Sequence, residues 1–205
     1  MRKRLIAILA LITLGYGASA MAVEEPRFQT VLKDGAFEVR DYPALTVAEV
    51  TVTGNQSTAA SRGFRLLAGY IFGANHGDKK IAMTAPVGLA KQGEKIPMTA
   101  PVGQTGNGAT WVVRFTMPSA LSLATLPAPN DPRVRLSLQP PVRVAALRFS
   151  GWATENVTTA RKAELLERAK SHHLRVAGPV TLAQYDPPWT LPFLRRNEVM
   201  VPVAP

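Results

Sequence analysis

The chain has 205 residues, with 24 Lys and Arg against 14 Asp and Glu, three His, no Cys and a formal net charge of +10. An apolar fraction of 46% suits a folded chain, of a length for one globular domain or two small fused halves, and excludes a disordered one. Zero cysteines exclude disulfides, thiolate metal sites, iron–sulfur clusters and a Cys nucleophile, and three histidines leave few routes to a His-rich metal centre.

Residues 1–22 read as a signal peptide. Arg2-Lys3-Arg4 is a basic start, residues 5–14 are an apolar run broken only by Thr13, and Ala18-Ser19-Ala20 and Ala22 offer small-residue cleavage positions. A run of ten falls short of the about 20 residues that cross a bilayer. Cleavage after Ala22 leaves 205 − 22 = 183 residues with a charge of (24 − 3) − 14 = +7. The expectation is a single domain over 23–205, exported and soluble, in the periplasm if the source is Gram-negative, with no membrane span after cleavage. Basic residues are scattered, with short clusters at Lys79-Lys80 and Arg195-Arg196, and form no stripe of the kind nucleic acids require. No nucleic-acid partner is expected; an anionic small molecule or membrane surface suits this charge better.

The mature chain reads as one unit written twice, over about 28–118 and 133–203. Phe37-Glu38-Val39-Arg40 alternates as a half-buried strand, Pro43 breaks it, and residues 45–52 alternate again before Gly54. Shifted by 97 positions, residues 134–136, Pro140, residues 142–149 and Gly151 repeat that order. A helix is predicted after each Gly. In the first, Ala60, Phe64, Leu67, Ala68 and Ile71 share the face expected to meet the sheet; in the second, Val157, Ala160, Ala163 and Glu164 surround Leu166 and Ala169, with Thr154 as N-cap. The segments KIAMTAPV at 80–87 and KIPMTAPV at 95–102 differ only at Ala82 and Pro97 and are placed to pair as a hairpin or to share one surface. Residues 110–117 form another strand, 119–132 a Pro-rich connector, and 180–185 and 198–203 the last strands. The architecture these elements predict is α+β: antiparallel sheet, curved or closed, with one long helix per half.

Several of these stretches together resemble the SOUL haem-binding protein family, over essentially all of residues 28–203. They are Phe37-Glu38-Val39-Arg40-Asp41-Tyr42-Pro43, Gly69-Tyr70-Ile71-Phe72-Gly73, the residues 80–87, Leu126-Pro127-Ala128-Pro129-Asn130-Asp131-Pro132, Phe149-Ser150-Gly151, Tyr185-Asp186-Pro187-Pro188-Trp189 and Arg195-Arg196-Asn197-Glu198-Val199. The doubled Met-Thr-Ala-Pro resembles a segment of bacterial members. The resemblance implies a distorted antiparallel β-barrel made of two similar halves and flanked by two helices. It also implies reversible binding of haem or a related tetrapyrrole, in a cleft formed by the first helix and adjoining loops.

A porphyrin needs an apolar platform and cationic groups for its propionates. On the first helix Arg62, Arg65, Leu66 and Gly69 lie opposite the predicted sheet face, and with Tyr70 they are the candidate contacts: arginines for carboxylates, Leu66 beside Gly69 for a ring edge. Met83 and Met98 are read as core before ligands, His76 as a loop side chain, and His172-His173 as a helix end favoured by the dipole. Some animal relatives carry a His where this chain has Asp41, so ligation there is not expected and no metal ligand is assigned. Trp189 and Phe193 either plug one end of the barrel, the preferred reading, or close over a ligand. Glu38 with Asp41, and Glu24 with Glu25, are read as surface carboxylates, and no nucleophile elbow, zinc-protease or phosphate-loop motif occurs. The expected function is exported, non-catalytic tetrapyrrole binding. A tetrapyrrole-modifying enzyme that removes the metal, or a module for another amphipathic small molecule, stands as the alternative.

Overall fold

The structure, a computed structural model, describes residues 23–92, 109–187 and 189–204. The leader 1–22, the second Met-Thr-Ala-Pro segment with Met98, and Pro188 lie outside the described residues. In chain order the elements are β1 (Gln29–Asp34), β2 (Phe37–Tyr42), β3 (Leu45–Thr53), α1 (Gln56–Ile71), β4 (Val87–Lys91), β5 (Thr110–Thr116), β6 (Arg135–Gln139), β7 (Val142–Phe149), α2 (Glu155–Ser171), β8 (Thr181–Gln184) and β9 (Asn197–Pro202). All strand pairs are antiparallel and form one sheet, in the order β1-β2-β7-β9-β8-β4-β5-β3-β6.

The fold is α+β, but the sheet curls into a half-barrel, and among the described residues it does not close: β1 pairs only with β2, and β6 only with β3. Each edge is exposed and carries charge, Lys33 and Asp34 on one side and Arg135 on the other. Such edges resist further pairing. Residues 80–86 form no strand. There the Thr84 hydroxyl donates to the Thr116 carbonyl and the Ala85 N–H to Glu24, while Pro86 has no N–H to give a ladder. Strand β1 has no apolar alternation: Val31 is exposed and its neighbour Leu32 is half-buried against the core, so nothing in its pattern announces it.

One transverse row explains where the core sits. Phe37, Leu147, Val199, Leu182, Leu89, Val113 and Val50 are successive cross-strand partners on seven strands, and all are fully or almost fully buried. Burying side chains of this size contributes about 1.5–3 kcal/mol each. Both helices cover this face: α1 lies on β3 and β5, α2 on β7 and β9.

Helix α1 starts at Asn55, whose side chain accepts the Thr58 N–H. Its buried residues are Gln56, Ala59, Gly63, Leu67, Ala68, Tyr70 and Ile71. Leu67, Ala68 and Ile71 face inward as expected, but the buried face also takes in Ala59, Gly63 and Tyr70, and Phe64 sits on its flank, edge-on to Phe115 at 5.5 Å. Gly63 is the reason: a Cβ there would lie 2.3 Å from Val113, so only glycine lets the helix settle this closely. Helix α2 begins at Thr154, as predicted, and buries Leu165 and Ala169. The Gln56 side chain donates to the Ala153 carbonyl and the Thr158 hydroxyl, tying the starts of the two helices together.

Candidate functional site

The five residues singled out on the first helix divide. Arg62 and Arg65 are exposed, Leu66 is half-buried with its inner side on the core, and Gly69 is partly exposed. Residues at i, i+3, i+4 and i+7 share a flank. Among the described residues neither arginine has a hydrogen-bond or ion-pair partner. Tyr70 instead faces the sheet, fully buried, and its hydroxyl donates to the Pro127 carbonyl at 2.9 Å. Burial pushes its phenol up.

Among the described residues the opposite face of the sheet bears no helix, and its centre is small: Ala183 and Gly88 lie between Glu198 on β9 and Arg114 on β5. Toward β2 this face holds a buried charge network that strand alternation did not reveal. The Arg40 guanidinium donates to both carboxylate oxygens of Glu198, at 2.6 and 3.0 Å, across the small Ala146 of β7. Tyr185 donates to Glu198 at 2.7 Å, and Arg196 adds donors at 3.2 and 3.3 Å. Burial would raise the Glu198 carboxyl, but the Arg40 bonds and charge, with Tyr185 and Arg196, hold it below the ordinary Glu value. Burial and the adjoining Glu198 carboxylate push the Tyr185 phenol up.

The segment ahead of β1 covers this network. Glu25 pairs with Arg196 at 2.9 Å, and the Phe28 ring lies 4.5 Å from the Arg40 guanidinium and 5.2 Å from the Tyr42 ring. Of the carboxylates read as surface groups, Glu38 is largely covered, paired with Arg40 and Lys33. Asp41 accepts a two-point contact from Arg143 at 2.7 and 2.8 Å. Glu24 accepts the Ser119 N–H. Every one is engaged structurally.

The loop between β8 and β9 departs from the preferred reading. Trp189 and Phe193 plug nothing: they are 82% and 71% exposed, and Leu191, Leu194 and Trp152 are exposed with them. The loop is braced all the same. Gly151 donates its N–H to Pro192, Asn197 donates to the Gly151 carbonyl, and Arg195 stacks 3.9 Å over Trp152. Proline-fixed backbone and these bonds hold large apolar groups in water.

The remaining ligand candidates fall as their sequence context suggested. Met83 packs on the core, His76 is exposed, and His172 caps α2, stacked at 5.0 Å on Phe37 and 3.2 Å from Asp34. Among the described residues no group of three or more His, Asp and Glu could hold a metal ion, and no helix is long and apolar enough to cross a membrane.

Two hollows lie away from the α1 flank. One of about 200 Å³ lies between residues 24–27, Pro43, Thr46 and residues 116–121; the other, of about 560 Å³, lies at the C-terminal end of α2. Neither touches Arg62 or Arg65. The exposed Arg62 and Arg65 and the half-buried Leu66 have the chemistry to meet a tetrapyrrole's carboxylates and ring edge, and among the described residues of that flank Arg62, Arg65, Leu66 and Gly69 include no ligand for its iron.

The family model described as SOUL heme-binding protein matches residues 23–202. No curated protein matches the sequence significantly. In structure the chain is similar to the C-terminal domain of EcmrR, with a TM-score of 0.59 at 10% identity over 86% of this chain and 98% of that one. It is also similar to a hydrolase from Listeria innocua, with a TM-score of 0.54 at 13% identity over 85% and 94%. At such identities the likeness establishes the fold alone.

Proposed function

Because the chain belongs to the SOUL heme-binding protein family, we propose that it binds haem or a related tetrapyrrole reversibly, without catalysis, on the outer flank of α1. Haem brings a flat apolar ring with two carboxylate arms. Arg62 and Arg65 pair with the arms, Leu66 and Gly69 meet the ring edge, and Tyr70 fixes the helix from beneath. The observation that carries this placement is that two exposed arginines, neither with a side-chain partner among the described residues, stand three positions apart on one flank of α1 beside Leu66 and Gly69. The braced loop with Trp189 and Phe193 offers a second apolar surface for the ring.

Residues 1–22 would direct export, with the periplasm as destination. The two halves would derive from one duplicated unit. The strand order supports that origin, because exchanging β2, β3, β4 and β5 for β6, β7, β8 and β9 turns β2-β7-β9-β8-β4-β5-β3-β6 into its own reverse.

A hemin titration followed at the Soret band tests the reading. Saturable binding at micromolar protein is expected, weakened about tenfold or more in Arg62→Ala/Arg65→Ala, since two charge-assisted hydrogen-bonding groups are lost. Absence of a saturable shift refutes tetrapyrrole binding. Unchanged affinity in the double variant moves the ligand off α1, and weakening by Trp189→Ala/Phe193→Ala would then place it on the loop.

A further inference from the structure

The hollow at the end of α2 has a composition its surroundings do not require. Its volume, about 560 Å³, falls within the range of about 300–1,000 Å³ typical of small-molecule pockets. The floor is apolar: Leu166, Leu174 and Val176 pack against the core and are only half-buried, so part of each lines the hollow. The rim carries Lys170, His173 and Arg175, with Glu167 the one acidic side chain. Among the described residues none of these four rim side chains has a hydrogen-bond or ion-pair partner. Their neighbours do: Arg168 holds Asp34, and Arg161 holds Glu164.

The backbone adds a second observation. Both helices end in the same way, with a residue in the left-handed region followed by an N–H that returns to the helix, Ala74 to Gly69 and Leu174 to Ala169. In α1 that residue is Gly73; in α2 it is His173, at φ +57. A side chain in this conformation is disfavoured, and such departures concentrate where function needs them. Here it sets an imidazole on the rim of the hollow.

The negative end of a helix dipole, about half an elementary charge, opposes an anion. At this end the carbonyls of Arg168, Ala169 and Lys170 are already bonded to Ser171, Leu174 and His173. Lys170 and Arg175 set two full positive charges against that half charge and the single charge of Glu167.

We infer that this hollow binds a small anionic amphiphile, its apolar body on Leu166, Leu174 and Val176 and its carboxylate held by Lys170 and Arg175. A concavity of this volume takes the body of a free molecule, not a flat membrane. The site lies on the other helix from the tetrapyrrole flank and does not depend on it.

Isothermal titration of the purified protein with laurate, kept below its micelle concentration, is the test. One saturable site is expected. Lys170→Ala/Arg175→Ala, which alters only exposed side chains, lowers its affinity about tenfold or more, Glu167→Gln raises it, and Arg62→Ala/Arg65→Ala leaves it unchanged. Dodecyltrimethylammonium, with the same chain and opposite charge, binds about tenfold more weakly or not at all. The inference is overturned if no saturable laurate site is found, or if Lys170→Ala/Arg175→Ala melts normally and binds laurate as before. Equal binding of the cationic chain, or loss of laurate binding in the α1 variant, overturns it as well.

Discussion

Two Arg–Glu pairs bridge strands on the helix-free face of the same sheet, and their surroundings make them different objects. Arg114 and Glu49 are direct partners on β5 and β3, 2.7 Å apart, with 40% and 27% of their side chains exposed. Arg40 and Glu198 reach each other from β2 and β9 at 2.6 Å, with 4% and 0% exposed. Residue type and strand alternation are the same in both. Chain from elsewhere, Glu25 and Phe28, makes the difference by lying over one end of the face and not the other. An exposed pair is screened by water and contributes about 0–1 kcal/mol. A buried one ties its members together, because either charge left alone in the interior is costly.

The contrast can be broken most directly at Glu198. Glu198→Ala leaves the Arg40 guanidinium buried without a partner and the Tyr185 hydroxyl without its acceptor, and is expected to cost about 3–5 kcal/mol in urea unfolding. Acid should act on the same side of the sheet. The folded-state pKa of Glu198 is lowered, so its stabilisation is complete above the ordinary Glu value of about 4.3 and is lost as pH falls through the lowered one. Acid unfolding of Glu198→Gln is therefore expected to depend less on pH than that of the parent in that window. Phe28→Ala uncovers the pair without removing it. Losing the aromatic contact with Tyr42 and the ring over Arg40 is expected to cost about 1–2 kcal/mol by thermal melting. Arg114→Ala closes the series at less than about 1 kcal/mol. A cost for Arg114→Ala equal to that for Glu198→Ala would show that the covering segment does not set the difference.

Much of the scaffold was legible along the chain because its signals are local. Alternation located the strands at 45–52, 110–117 and 142–149, and side-chain chemistry placed Thr154 as the cap of α2. The face of α1 was harder. Phe64 looks like a core residue by spacing, and only the approach permitted by Gly63 against Val113 brings Tyr70 into the buried face and leaves Phe64 on its flank, while Arg62 and Arg65 lie outside, where their spacing puts them. Nothing local marks Arg40 and Glu198 as buried, since a polar residue at an alternate strand position reads as solvent-facing. Their sole hint is that both lie in stretches that carry the family resemblance, 37–43 and 195–199. The hollow beside α2 is lined by the single stretch 166–176, but the spacing of those residues does not say that the turn after the helix folds so as to leave a concavity.

Local periodicity and capping by themselves determined that this protein is an α+β chain with two long helices, and its motif order pointed to a tetrapyrrole-binding family. The tertiary structure alone decided which charges are covered, where the sheet stays open and which concave surface carries unpaired cations. The physical reason is that secondary structure follows from neighbours a few positions apart, whereas burial of Glu198 depends on Glu25, Arg40 and Phe28, more than 150 residues away in the chain.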